Sequence, residues 1–169
     1  MKYLNQLLAL TFLLISFTLN AQQPCASLAH NQFDFWVGEW KVYHATADTL
    51  LGTNHIKKIL NDCVIEENWT GATGFAGKSF NTYNPADSTW NQVWVDVGGS
   101  TYHFSGRFKD NVMQMHGENM VNGKPVLFDM AYHFNKEKGT VRQVWKMSND
   151  DGKNWKTIFD GIYRRKKKG

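Results

Sequence analysis

The feature that most constrains this chain is its punctuation. Turn signals recur along it at Asp48-Thr49, Asn61-Asp62, 71–77, Asn84-Pro85, Gly98-Gly99, Lys109-Asp110-Asn111, Asn122-Gly123, Lys138-Gly139 and Asp151-Gly152. Between them lie about ten runs rich in β-branched and aromatic residues: 40–47, 53–60, 64–69, 78–83, 90–97, 101–108, 112–118, 126–134, 140–148 and 156–164. Many short, evenly spaced strands argue for a sandwich or a barrel. Connections this short favour pairing between neighbours in sequence, so the reading is an all-β chain forming a single up-and-down antiparallel β-barrel of about ten strands. No run shows a sustained helical period.

One stretch breaks this rhythm. Phe33, Phe35, Trp36 and Trp40 crowd into eight residues just before the first convincing strand, interrupted by Gly38. The spacing predicts a short N-terminal aromatic plug: a turn that packs under something hollow, a bend at Gly38, and a strand that runs out from Glu39.

Residues 1–21 read as a secretory signal peptide. Lys2 supplies the positive start, a largely apolar stretch of thirteen residues runs from Leu7 to Leu19, and Ala21 offers a small residue for cleavage. A run that short is not a permanent membrane span, which needs roughly 20 apolar residues. The expected mature protein is one domain over residues 22–163, periplasmic or extracellular, with a basic tail over 164–169. In an oxidising compartment its two cysteines, Cys25 and Cys63, read most simply as one disulfide. A reactive thiol or a metal pair has no CxxC or neighbouring His motif to support it.

The basic charge is a property of the ends. Of 19 Lys and Arg, one lies in the leader and five in Arg164-Arg165-Lys166-Lys167-Lys168, which leaves 13 against 15 acidic residues in the body. A nucleic-acid binder would carry its basic residues on the folded face, so no nucleic-acid partner is expected. The tail reads as a frayed, solvated end whose removal leaves stability nearly unchanged.

Ser148-Asn149-Asp150-Asp151-Gly152-Lys153-Asn154-Trp155 fits the Asp-box pattern S-x-D-x-G-x-x-W. Its use is structural: the Asp side chain takes turn amides, the Gly adopts positive φ, and the Trp packs beneath the hairpin. A single copy in so short a chain excludes a sialidase propeller, and the carboxylates are too few for a calcium cage.

FDFWVGEW, CVIEENWTG (63–71), SFNTYNP (79–85), WNQVWVD (90–96) and the Asp-box hairpin occur in that order. Together they resemble a family of secreted and cytosolic bacterial proteins of unknown function related to lipocalin-like (calycin) barrels, whose strand meander opens on a Gly-x-Trp that closes the barrel floor. The resemblance implies a fold and no established activity, so it carries over no catalytic residues. More distant barrel relatives bind haem, fatty acids or retinoid-like ligands, and a few catalyse cyclisation or decarboxylation.

Alternation along the strands sorts candidate lining residues. Arg142 and Lys146 belong outside, so Gln143 and Trp145 face in; the Gln-Val-Trp echo places Gln92, Trp94 and Asp96 inward as well, and leaves Val93, Val95 and Val97 outward. Glu67 and Trp69, with Ser79, Asn81 and Tyr83, join the same interior. Aromatic walls with a few placed polar groups describe a small-molecule pocket; the ligand reading fails if Trp94 and Trp145 lie on the outer surface, or if the barrel is filled with no cavity of at least ~300 Å³. Three functions fit: a secreted barrel binding an aromatic or amphipathic organic ligand; a cofactor-independent isomerase, cyclase or lyase with Glu67 or Asp96 as base; or a filled structural barrel. No cofactor or metal is expected, because the six His are scattered without a ligand motif; a haem-ligating His is selected by nothing in the sequence. His103 with Arg107, and His116 with Glu118, share strand faces as weaker acid–base arrangements.

Overall fold

The structure is a computed structural model that describes residues 24–166; the signal-peptide reading lies outside the described residues. Ten strands form one closed antiparallel barrel: β1 (Gly38–His44), β2 (Leu50–Ile59), β3 (Val64–Gly71), β4 (Ala76–Asn84), β5 (Thr89–Asp96), β6 (Thr101–Lys109), β7 (Val112–Val121), β8 (Lys124–Asn135), β9 (Thr140–Ser148) and β10 (Lys156–Arg165). Every strand pairs with its sequence neighbour, and β1 closes the sheet on β10 with Trp40 opposite Arg165 and Val42 opposite Tyr163. The up-and-down barrel read from the turn spacing is therefore the fold. Among the described residues no helix is long and apolar enough to cross a membrane.

The turns work as their chemistry demands. Asp110-Asn111 and Asn122-Gly123 take positive φ at both central residues, the geometry that matches the strand twist in tight hairpins. In the Asp-box hairpin, Asn154 N and Nδ2 donate to the two oxygens of Asp150 at 2.9 and 2.7 Å, and Gly152 N donates to Ser148 Oγ at 3.0 Å. These bonds, led by that from the Asn154 side chain, hold the Asp150 carboxyl below its usual range. Trp155 departs from expectation: it donates to Gly152 O but stays 43 % exposed, resting on the turn rather than beneath it.

The plug forms as expected, from two short 3-10 turns, Ala29–Asn31 and Asp34–Trp36. Phe33 and Trp36 are fully buried and stack at 4.9 Å, and both meet the ring of Tyr132. Phe35 stacks on Phe134. Trp40 Nε1 donates to Trp36 O at 2.8 Å, which ties the first strand to the turn before it. A Cys25–Cys63 disulfide fastens the N-terminal segment to the β2–β3 turn at this same end; closing a loop of that length contributes about 3–4 kcal/mol in chain-entropy terms.

The C-terminal boundary needs correction. The tail drawn from residue 164 begins two residues too early, because Arg164 and Arg165 belong to β10. Arg165 lies over the Trp40 ring and donates to Val37 O, while Arg164 lies over Tyr43 and pairs with Asp48. A terminal cluster of like charge looked like a solvated end, but each guanidinium finds an aromatic face on β1.

Candidate functional site

Seven strands contribute polar side chains at one level of the barrel, and these close into a ring. Ser79 Oγ donates to Glu67 Oε2 at 2.7 Å, and Asn81 Nδ2 donates to Ser79 Oγ at 3.0 Å. Gln92 Nε2 donates to Asn81 Oδ1 at 2.7 Å and to the Tyr132 hydroxyl at 3.2 Å. Gln143 Nε2 donates to the same hydroxyl, and its Oε1 accepts from Tyr163 at 2.6 Å. Asn54 Nδ2 completes the circuit by donating to Tyr163 at 3.4 Å and to Glu67 Oε1 at 2.6 Å. All eight side chains belong to buried residues. Groups desolvated this thoroughly must bond to one another, and the ring lets nearly all of them do so; Asn54 Oδ1 is left without a partner among the described residues.

Glu67 is the one carboxyl in the ring. Burial pushes it up to about 7, against the downward pull of the bonds from Ser79 and Asn54. Burial, helped by the negative charge of Glu67, also drives the Tyr132 and Tyr163 hydroxyls well above their ordinary value, so both remain neutral donors.

Below the ring the barrel is packed by the plug; above it, towards the β1–β2, β3–β4, β5–β6 and β9–β10 turns, it is hollow. The cavity has a volume of about 240 Å³, with Glu67, Gln92 and Gln143 at its floor and Trp69, Trp94 and Trp145 in its walls. Phe104 and Phe159 fill the gaps between the indoles. Two glycines make room for the indoles to lie back against the wall. A Cβ on Gly52 would stand 2.8 Å from the Trp69 ring, and one on Gly77 would collide with Trp94. Trp94 and Trp145 face inward as the ligand reading required, but the volume does not meet its ~300 Å³ condition, so a ligand of the size first expected is ruled out. The inward aromatics occupy that space, and what remains admits a single ring or a short chain.

The site residues read from the sequence separate into four groups. Glu67, Trp69, Gln92, Trp94, Gln143 and Trp145 meet around the cavity. Asn81 sits behind them as a link in the ring. Tyr83 stands at the plug end, against His30 and Trp90, away from the cavity. Asp96 lies at the open rim, where its Oδ1 accepts from the amides of Gly98 and Ser100 and its Oδ2 from Trp94 Nε1 at 3.4 Å. That is the work of a turn-forming carboxylate, and it leaves Glu67 as the carboxyl inside. His103, Arg107, His116 and Glu118 are all exposed on the outer surface, where His116 meets Asp129. Among the described residues no three His, Cys, Asp or Glu side chains gather as a metal site would require.

Sequence reasoning missed Asn54, Tyr132 and Tyr163. A signal existed for each. Asn54 shares its strand face with Gly52 and Ile56, Tyr132 with Phe128 and Met130, and Tyr163 with Phe159 and Gly161, so alternation alone placed each on an otherwise apolar inner face. Comparison with known proteins finds no matching family model and no curated protein of similar sequence.

Proposed function

We propose that this protein binds a small organic molecule, of single-ring or short-chain size, in the open half of the barrel. The observation that carries this reading is the combination of a hollow, indole-walled cavity with a floor of buried, mutually bonded polar groups. Such a pocket orients a ligand with its polar end down and its apolar body against the walls. The disulfide supports a working place in an oxidising compartment, and the motif order supports kinship with the secreted lipocalin-like family. Native mass spectrometry of protein taken from its own compartment tests the reading. A bound small molecule is the expected result, and its loss in a Trp145→Leu variant that remains folded assigns it to the cavity. Uniformly empty protein that also takes up no small organic molecule in a screen removes it.

A second reading has one observation in its favour. A carboxyl poised near neutral pH inside a pocket suits a general base, so a cofactor-independent isomerase, cyclase or lyase would use Glu67. Turnover of the bound molecule that disappears in Glu67→Gln separates this from binding alone.

A further inference from the structure

The cavity is lined by a single ionisable acid, Glu67, and by no Lys, Arg or His. Its walls are largely aromatic: three indoles, the rings of Phe104 and Phe159, and two phenols at the floor. Of the other charges on the strands around Glu67, Lys58 lies on the inner face of β2 but at the plug end, held 3.0 Å from Asp34. Asp96 lies at the rim bound to turn amides, while Lys57, Glu66, Lys78, Arg142 and Asp160 point outward. On β2–β4, Lys57 lies 3.0 Å and Lys78 3.8 Å from Glu66, and on β9–β10 Arg142 bonds Asp160. His133 on β8 and Lys146 on β9 also lie on the outer side of the sheet. Tyr132 and Tyr163 are thus the titratable groups that face Glu67 from within, and both are neutral.

From this lining we infer that the pocket takes a small organic cation, an amine or methylated ammonium carrying a short apolar body. The inference rests on the pocket reading above and names its ligand class. Aromatic faces attract a cation through their quadrupoles, most strongly where water is excluded. A buried carboxylate with no protein counter-ion is costly, and a cation from outside supplies the missing charge. An anion would meet the carboxylate and the negative faces of the rings together. A neutral molecule would fit and gain from Glu67 a hydrogen bond but no charge pairing. Binding of a cation favours the ionised form of Glu67, so it releases a proton wherever the empty site holds one.

The test uses the full mature protein and three soluble probes of one shape: choline, its neutral carbon isostere dimethylbutanol, and the anionic dimethylbutanoate. Affinities are read by titration calorimetry and by quenching of tryptophan fluorescence. Choline is expected to bind at least about tenfold more tightly than either of the others, a difference of the size measured for desolvated cation–π contacts. With Glu67 titrating near 7, its affinity rises about tenfold between pH 6 and pH 8. Glu67→Gln is expected to bring choline down to the level of the alcohol and to abolish the pH dependence. If the alcohol or the carboxylate binds as tightly as choline, the pocket stands and the cation inference falls. If none of the three binds, the cation inference falls, while the pocket reading is decided by native mass spectrometry and the screen of small organic molecules. The pH series on the unaltered protein gives the same decision should Glu67→Gln fail to fold.

Discussion

The two halves of this barrel use the same material to opposite ends. In the plug half, Phe33, Trp36 and Trp90 contact ring to ring and are shielded from water. In the open half, Trp69, Trp94 and Trp145 are only partly buried and surround a space. Composition does not distinguish them. What differs is the backing: chain from outside the sheet fills one half, whereas glycines in the wall leave room for two of the three indoles of the other, Trp69 and Trp94, to lie back. The polar ring lies between and keeps the two apart. The comparison teaches that an aromatic-rich interior is neither a core nor a pocket until something decides whether its rings may touch.

The strongest way to break this contrast is to remove one indole from each half. Trp36→Ala should cost about 3–5 kcal/mol of stability, because a fully buried plug ring leaves a void that the rigid strands cannot close. Trp145→Leu should cost about 1–2 kcal/mol, since a wall beside an existing cavity loses fewer contacts, and should weaken ligand binding instead. Urea denaturation of both variants decides it; equal losses would mean that the open half is packed like the other.

The boundary between the halves is sharpened by pH. Glu67 moves from an ordinary 4.5 to about 7 on folding, so the folded chain keeps a proton between those values that the unfolded chain has lost. Its contribution is therefore fully present below about pH 4.5, declines as pH rises towards 7, and is flat above, a total of about 3 kcal/mol. Denaturation midpoints measured between pH 4.5 and pH 8 should fall accordingly and lose that slope in Glu67→Gln. An unchanged slope in the variant would show that the titrating group lies elsewhere.

The smallest effect concerns the outer seam between β1 and β10. Truncation after Tyr163 should lower stability by about 1–2 kcal/mol, the worth of two half-exposed cation–π contacts on Trp40 and Tyr43. Ligand affinity should not move. A melting temperature indistinguishable from that of the intact chain would return both arginines to the solvated end that the charge run suggested.

How much of this was legible in the sequence follows from the range of each interaction. Turn residues and strand alternation act over a few positions, so the meander and the inward placement of Gln92, Trp94, Gln143 and Trp145 could be read directly. The awkward corollary, an outward valine face, is also present: Val93, Val95 and Val97 are exposed. The plug was legible because its aromatics are adjacent. The ring was not, since it requires the register of seven strands at once, and a one-residue slip in any of them would turn its member outward. Tyr83 shows the same limit from another side. Its face could be read from alternation, but its level along the barrel axis could not, and level is what separates cavity from plug. The cavity volume was illegible for a related reason, because Gly52 and Gly77 act on indoles from neighbouring strands.

The seam between β1 and β10 has a consequence for how the chain comes to be folded. Nine of the ten ladders join strands that follow one another in sequence, and the remaining one joins the two ends of the barrel. Hairpins can therefore accumulate one after another as the polypeptide emerges, giving a curled ribbon whose first and last borders are both open. Open borders are templates for pairing with other molecules. That vulnerability persists until residues as late as Arg164 and Arg165 arrive opposite Lys41 and Trp40. The two arginines that grip Tyr43 and Trp40 are thus the clasp of the ribbon: the last piece of the sheet to be made is the one that ends its exposure.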